Sequence, residues 1–256
     1  MSALELTVDG PVATLTVNRP DKRNAMTRAM WAAVPGLLAE VVHDVRVLLL
    51  TGTGASFCAG ADIGELLGGD DPADPMAGLR ADNLAAQAAI RAFPHPTLAV
   101  VRGHCIGGGV ELAASCDLRF ADDTAVFGVT PARIGVVYAP APTKALLDLV
   151  GPATTKYLLF SGELLDAAAA LRVGLVDEVL PADGLDARAR EFAAVLAGRS
   201  ALTQRAAKEI LAELGAGGDG EQVGARWFTE TISSGELAEG VAAFGQRRPP
   251  AWVWQG

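Results

Sequence analysis

Residues Gly103–Leu118 read GHCIGGGVELAASCDL, and the fold turns on how this stretch is taken. Three consecutive glycines, Gly107, Gly108 and Gly109, cost conformational entropy, roughly 0.5–1 kcal/mol each relative to alanine inside a regular element. An apolar run that reads as a helix follows, with Glu111 in its first turn among Val110, Leu112, Ala113 and Ala114. Glycines leading into a helix leave backbone N–H groups unpaired and let a ligand atom come close. Gly108 and Glu111 stand three apart, so once the helix has begun they project to the same side. That pairing sets a hydrogen-bond donor for a developing oxyanion beside a carboxylate able to move a proton, which suits chemistry on a carbonyl compound. The alternative is structural: the glycines allow close packing of helix on strand, and Glu111 is a first-turn charge favoured by the helix dipole. On this stretch alone both stay open.

Working outward, TLAVVRG before the glycines and VRVLLLTG further upstream are short apolar runs ending in glycine, which read as buried strands. Near the start, ALELTVDGPVATLTVNRP alternates apolar and polar residues around Asp9-Gly10, a hairpin signal. Helical patterns run from Thr27, a possible N-cap, to Val42, with Pro35-Gly36 bending or interrupting it, and from Arg80 to Phe93. GASFCAGADIGEL reads as a loop, and GGDDPADP as an exposed polar connection. Downstream, CDLRFADD, AVFGV and GLVDEVL read as strands. Ala141–Leu149, Pro152–Phe160, Ala187–Ala197 and Ser200–Leu214 read as helices. Strands alternating with helices give an α/β fold. The last fifty or so residues are helices without strands and suit packing on a neighbouring subunit.

Bulk properties narrow the function. The chain has 256 residues, 50% hydrophobic and 20% charged, with a net charge of −9. A nucleic-acid partner would need a basic stripe, and none is visible. No run of 18 apolar residues occurs, and the start lacks the pattern of a signal peptide, so a cytoplasmic protein with no membrane partner is expected. The three cysteines, Cys58, Cys105 and Cys116, form no CxxC pair, and His43, His95 and His104 are scattered. No metal or redox cofactor is implied. LLLTGTG lacks the GxGxxG spacing of a dinucleotide turn, and neither GxxxxGK[ST] nor GxSxG appears.

A second glycine loop, SFCAGADI at Ser56–Ile63, can offer another N–H. With it the chain resembles the enoyl-CoA hydratase/isomerase (crotonase) family. VNRPDKRNAM, FCAGADI, GHCIGGGVELAASCDLRFA, FGVTPARIG, SGELLDAAAALRVGLVDEVLP and the final GVAAFGQRRPP fall in the family's order across most of the chain. The resemblance implies a spiral of ββα repeats with a C-terminal helical region: residues 1–198 as spiral core and 199–256 for assembly as a homotrimer or dimer of trimers. It implies an acyl-CoA thioester substrate that brings its own coenzyme A. Ala61 and Gly108 match the two positions whose N–H groups hold the thioester oxygen, and Glu111 matches one catalytic glutamate. Ala59, Asp62 and Ile63 would lie along the coenzyme A, with Arg23 and Arg247 either reaching its phosphates or standing as solvated charges.

One departure limits this reading. The family's second glutamate would fall twenty positions after Glu111, and that position is Pro131. Proline has no proton to give, and Asp122 and Asp123 lie on the wrong side of a strand to replace it. TPARIGVVY is similar to relatives that lack the second glutamate, including methylmalonyl-CoA decarboxylases, which use a tyrosine at the place of Tyr138. Those relatives carry histidine where this chain has Ala61, and Tyr138 also suits a packing role. Asp117 reads as a buried structural acid. The expected activity is that of an acyl-CoA lyase or isomerase in fatty-acid-type metabolism. The alternatives are a decarboxylase using Tyr138 and a member that binds acyl-CoA with little catalysis.

Overall fold

The run VLLLTG becomes a strand because its side chains are buried alternately on two faces. Leu48 and Leu50 join the main core, while Val47 and Leu49 join a second cluster. The computed structural model describes residues 2–66, 68, 69 and 71–254; of the expected GGDDPADP connection, Asp70 lies outside them. The described chain opens with β1 (Leu4–Asp9), β2 (Val12–Val17), α1 (Arg28–Val41), β3 (Val47–Gly52) and α2 (Ala77–Arg91). Next come β4 (Thr97–Val101), β5 (His104–Ile106), α3 (Gly108–Ser115), β6 (Leu118–Asp122), β7 (Val126–Gly128) and α4 (Pro140–Ser161). It closes with β8 (Leu164–Asp166), α5 (Ala167–Arg172), β9 (Glu178–Leu180), α6 (Leu185–Ala197), α7 (Ala201–Gly215), α8 (Glu221–Ser233) and α9 (Glu236–Gln246).

A six-stranded sheet has the order β1-β2-β3-β4-β6-β9, and a smaller one the order β5-β7-β8. Beyond the β1–β2 hairpin, every pairing in the large sheet is parallel. The repeat is legible in the connections. β4 in the large sheet is followed by β5 in the small one and then α3; β6, β7 and α4 do the same. β3 is followed by a segment whose Cys58 bridges Cys105 of β5, and then by α2. These are successive turns of a ββα spiral.

Local signals match the chemistry of the chain. The Thr27 hydroxyl caps α1 by accepting from Met30 N at 3.3 Å. α1 runs on through Pro35 and buries Met30, Trp31, Val34, Leu38 and Val41. α4 is in effect two helices, because Gly151 (φ 72°, ψ 171°) breaks it just before Pro152. β5 and β8, three residues each, are strands the sequence pattern does not reveal. Among the described residues no helix is long and apolar enough to cross a membrane.

Candidate active site

The triple glycine divides its work. Gly107 (φ 54°) turns the backbone from β5 into α3, and a Cβ there would meet nothing within 4 Å, so its conformation is what calls for glycine. At Gly109 a Cβ would stand 2.1 Å from the Cys58 carbonyl oxygen. Gly109 therefore serves close packing of α3 on the loop after β3 rather than room for a ligand. Gly108 is the first residue of α3, and its N–H has no partner one turn back.

The loop after β3 brings up the second amide. Met26 N donates to Gly60 O and Asp62 N to Met26 O, both at 2.8 Å, so the Ala61 N–H points away from Met26. Ala59 N donates to Arg23 O at 2.9 Å, which laces the NRPDKRNAM segment to the same loop. Neither Ala61 N nor Gly108 N donates to any described residue. The two are neighbours: a Cβ built on Gly108 would stand 3.4 Å from Ala61 N and 3.0 Å from Trp31 Cζ2. The Trp31 indole N–H is buried there without an acceptor.

Glu111 lies one turn into α3, its own N–H donating to Gly107 O at 3.2 Å. Its Oε2 accepts from Asn83 Nδ2 at 2.8 Å and Gln87 Nε2 at 3.3 Å, both on α2. Burial pushes its carboxyl above the usual range, while Asn83 and the nearby Tyr138 hydroxyl pull the other way. Tyr138, on the loop before α4, has a buried hydroxyl that makes no hydrogen bond, and burial followed by the Glu111 charge pushes its pKa well up. Pro131 begins a short helical turn, Pro131–Arg133, on the same loop.

The remaining expected residues divide. Asp62 accepts from Gly64 N at 3.1 Å and pairs with Arg19 at 3.0 Å, and Arg19 leads the causes that hold its carboxyl below the ordinary range. Ile63 follows, 74% exposed. Arg23 lies exposed in a left-handed conformation at φ 49°. Arg247 caps the end of α9, and no hydrogen bond or ion pair joins it to these loops among the described residues. Asp117 is structural, accepting from Thr97 N and Lys208, both at 2.7 Å, but it sits at the surface rather than buried. Lys208 of α7 supplies its counter-charge.

Sequence reasoning missed three residues. Asn83 and Gln87 were visible only as polar residues at helical spacing on the face of α2 that buries Leu79, Ala86 and Ile90. Asn24 is fully buried at φ 59° and ties Arg19 N (2.8 Å) to Thr53 O (2.9 Å) and Ser56 O (2.6 Å), fixing the two loops. Among the described residues no group of three His, Cys, Asp or Glu side chains could hold a metal ion.

A family model described as enoyl-CoA hydratase/isomerase matches residues 7–255. The Mycobacterium tuberculosis protein named "Probable enoyl-CoA hydratase echA8" is 35% identical over 249 residues, 96% of this chain and 95% of its own length. The 2,3-dehydroadipyl-CoA hydratase of Escherichia coli is 32% identical over 257 residues, 98% of each chain. The crystal structure of an enoyl-CoA hydratase/carnithine racemase from Magnetospirillum magneticum superposes with a TM-score of 0.93 at 30% identity. It covers 98% of this chain and 96% of that one.

Proposed function

Because the chain belongs to the enoyl-CoA hydratase/isomerase family, we propose that it binds an acyl-CoA thioester and works on it through the enolate. The Ala61 and Gly108 N–H groups hold the thioester oxygen, and Glu111 moves the proton or positions water beside it. One observation supports this above the others. Two neighbouring backbone N–H groups lack acceptors, one turn of helix from a mostly buried carboxylate with one oxygen unused. An oxyanion donor contributes about 3–4 kcal/mol to such a reaction, and a positioned general base a rate factor of roughly 10²–10⁴. Burial raises the Glu111 carboxyl toward the range in which it both takes and returns a proton. Coenzyme A arrives as part of the substrate, with Arg23 and, from the far end of the chain, Arg247 available to its phosphates.

The similarity to the Escherichia coli protein, a 2,3-dehydroadipyl-CoA hydratase, fits action at the double bond of an enoyl-CoA. Hydration of crotonyl-CoA by the wild type and Glu111→Gln tests the assignment. Loss of turnover by roughly 10²–10⁴-fold is expected, and unchanged turnover overturns it.

Tyr138 motivates a second reading. Pro131 leaves the usual second acid missing, and the unpartnered Tyr138 hydroxyl lies beside Glu111. In this reading Tyr138 serves as the second proton-handling group, in a decarboxylase-like reaction. Tyr138→Phe then abolishes CO₂ release from a malonyl-type CoA, and absence of CO₂ from the wild type removes the reading. If hydration, isomerisation and decarboxylation all fail, an acyl-CoA-binding member with little catalysis is what remains.

Assembly follows from the C-terminal helices. Phe228 (73% exposed), Val241 (64%) and Phe244 (88%) on α8 and α9 present apolar surface. Burial of that surface against further copies in a homotrimer or dimer of trimers would account for it, and light scattering measures the mass.

A further inference from the structure

Three residues one helical turn apart on α2, Asn83, Gln87 and Arg91, form a chain of hydrogen bonds that ends on Glu111. Arg91 Nη1 donates to Gln87 Oε1 at 3.4 Å. Gln87 Nε2 donates to Asn83 Oδ1 at 2.7 Å and to Glu111 Oε2 at 3.3 Å. Asn83 Nδ2 donates to the same Oε2 at 2.8 Å. The far end is tied back to α3, since Arg91 Nη1 also donates to Ser115 Oγ at 3.1 Å and Ser115 Oγ to Glu111 O at 2.8 Å. Gln87 is fully buried, so its amide cannot turn to water.

The direction of this chain is fixed at both ends. A guanidinium only donates, so the Gln87 carbonyl must face Arg91 and its NH₂ must face Asn83 and Glu111. An ionised carboxylate only accepts, so Oε2 receives both donors. A proton arriving on Oε2 would point into two N–H groups, whereas Oε1 accepts no hydrogen bond among the described residues. We infer that Asn83 and Gln87 are positioning residues that hold Glu111 by Oε2 and make Oε1 the oxygen that exchanges the proton with substrate. The proton moves between a substrate carbon or water and Oε1, and when it leaves carbon its electron pair stays on the thioester as the enolate. This rests on the assignment of Glu111 as acid/base.

Few other groups compete for control of Glu111. Tyr138 faces it from the loop before α4, Cys58 from the loop after β3, with Cys105 of β5 behind, and Arg91 acts through Gln87. Burial keeps the phenol and both thiols neutral, pushing Cys58 up to about 12. Asn83 leads the groups favouring the ionised carboxylate, with the Tyr138 hydroxyl after it, and Gln87 donates to the same oxygen as Asn83.

The test compares the wild type, Asn83→Ala, the Asn83→Ala/Gln87→Ala double variant, Asn83→Ser and Glu111→Gln. Crotonyl-CoA hydration is followed against pH, and carboxyl-¹³C glutamate is titrated by NMR, with the Glu111 signal identified by its loss in Glu111→Gln. Removing the donors destabilises the ionised carboxylate, so its titration and the acid limb of the rate profile move to higher pH, further in the double variant. Misplacement of the carboxylate lowers kcat by roughly 10–100-fold with KM little changed. Asn83→Ser, which keeps a donor, recovers part of both and serves in place of Asn83→Ala if that variant does not fold. An unmoved NMR titration in the double variant, or in Asn83→Ser if neither alanine variant folds, overturns the inference whatever substrate the enzyme prefers. Full turnover by Glu111→Gln overturns the acid/base assignment itself, and this inference with it. An inactive Glu111→Gln beside an unmoved titration overturns the inference alone.

Discussion

Two buried glutamates in this protein have opposite surroundings. Glu236, the first residue of α9, is 2% exposed and hydrogen-bonded through both oxygens. Its Oε1 accepts from Ser200 Oγ at 2.6 Å, and its Oε2 from the backbone N–H groups of Val253 and Trp254, each at 3.0 Å. It clamps the C-terminal strap and the start of α7 onto α9. Glu111 is held by Oε2 alone, and its other oxygen accepts no hydrogen bond among the described residues. A buried carboxylate with both oxygens engaged is a structural joint. One left half-engaged costs stability and keeps a reactive oxygen, which is the usual trade at a working site.

The sharpest way to break the comparison is to neutralise Glu111. Glu111→Gln should cost roughly 10²–10⁴-fold in turnover while leaving the fold intact. Its effect on stability also has a sign. Burial raises the folded-state pKa of Glu111 above its unfolded value, so the protonated form is favoured by folding. That contribution is present at acid pH and is lost as pH rises through the raised pKa. The melting midpoint of the wild type relative to that of Glu111→Gln should therefore fall as pH rises from acid to neutral. A difference that grows in the wild type's favour with rising pH contradicts the assignment of burial as the dominant cause.

Glu236→Ala should do the reverse. It leaves the Ser200 hydroxyl and two backbone N–H groups without their acceptor. Each orphaned donor costs about 1–3 kcal/mol, so a loss of about 3 kcal/mol is a conservative sum. At roughly 2–4 °C per kcal/mol for a chain of this size, the melting midpoint should fall by roughly 6–12 °C. The Trp254 indole, stacked edge-on against Trp227 with ring centres 5.8 Å apart, should report release of the strap by fluorescence. Turnover per folded molecule should hold. A change confined to turnover would place Glu236, and not only Glu111, among the working residues.

The same contrast explains how much could be read in advance. VRVLLLTG and TLAVVRG announce buried strands because parallel strands covered on both faces are apolar throughout. The break in α4 is written as Gly151-Pro152. Gly108 and Glu111 could be paired from spacing because one helix carries both; Ala61 could not, and came only through resemblance. Asn83 and Gln87 share a helix face in the sequence, but only packing decides that this face meets α3. Glu236 illustrates the limit, since its partners lie 36, 17 and 18 positions away and no local pattern connects them. β5 and β8 are too short for a period-2 signal.

The smallest expected effect is also the finest probe. Ser200→Ala removes one donor from Glu236 and leaves Oε1 bare, the condition that Glu111 holds naturally, while the two backbone donors still satisfy Oε2. Ser200 also caps α7, its hydroxyl accepting from Thr203 N at 3.2 Å, and loss of a cap costs about 0.5–2 kcal/mol by itself. The expected total is about 1–2 kcal/mol, measured by denaturant unfolding, with no change in turnover. If Ser200→Ala costs as much as Glu236→Ala, the backbone N–H groups of Val253 and Trp254 contribute little, and the strap is held mainly through the serine. If it costs less than half as much, the backbone pair is the stronger part of the joint. Held by two donors on one oxygen, Glu236 would then match Glu111 in its hydrogen bonding and differ in its donors: backbone N–H groups of the strap at one, side-chain amides of α2 at the other.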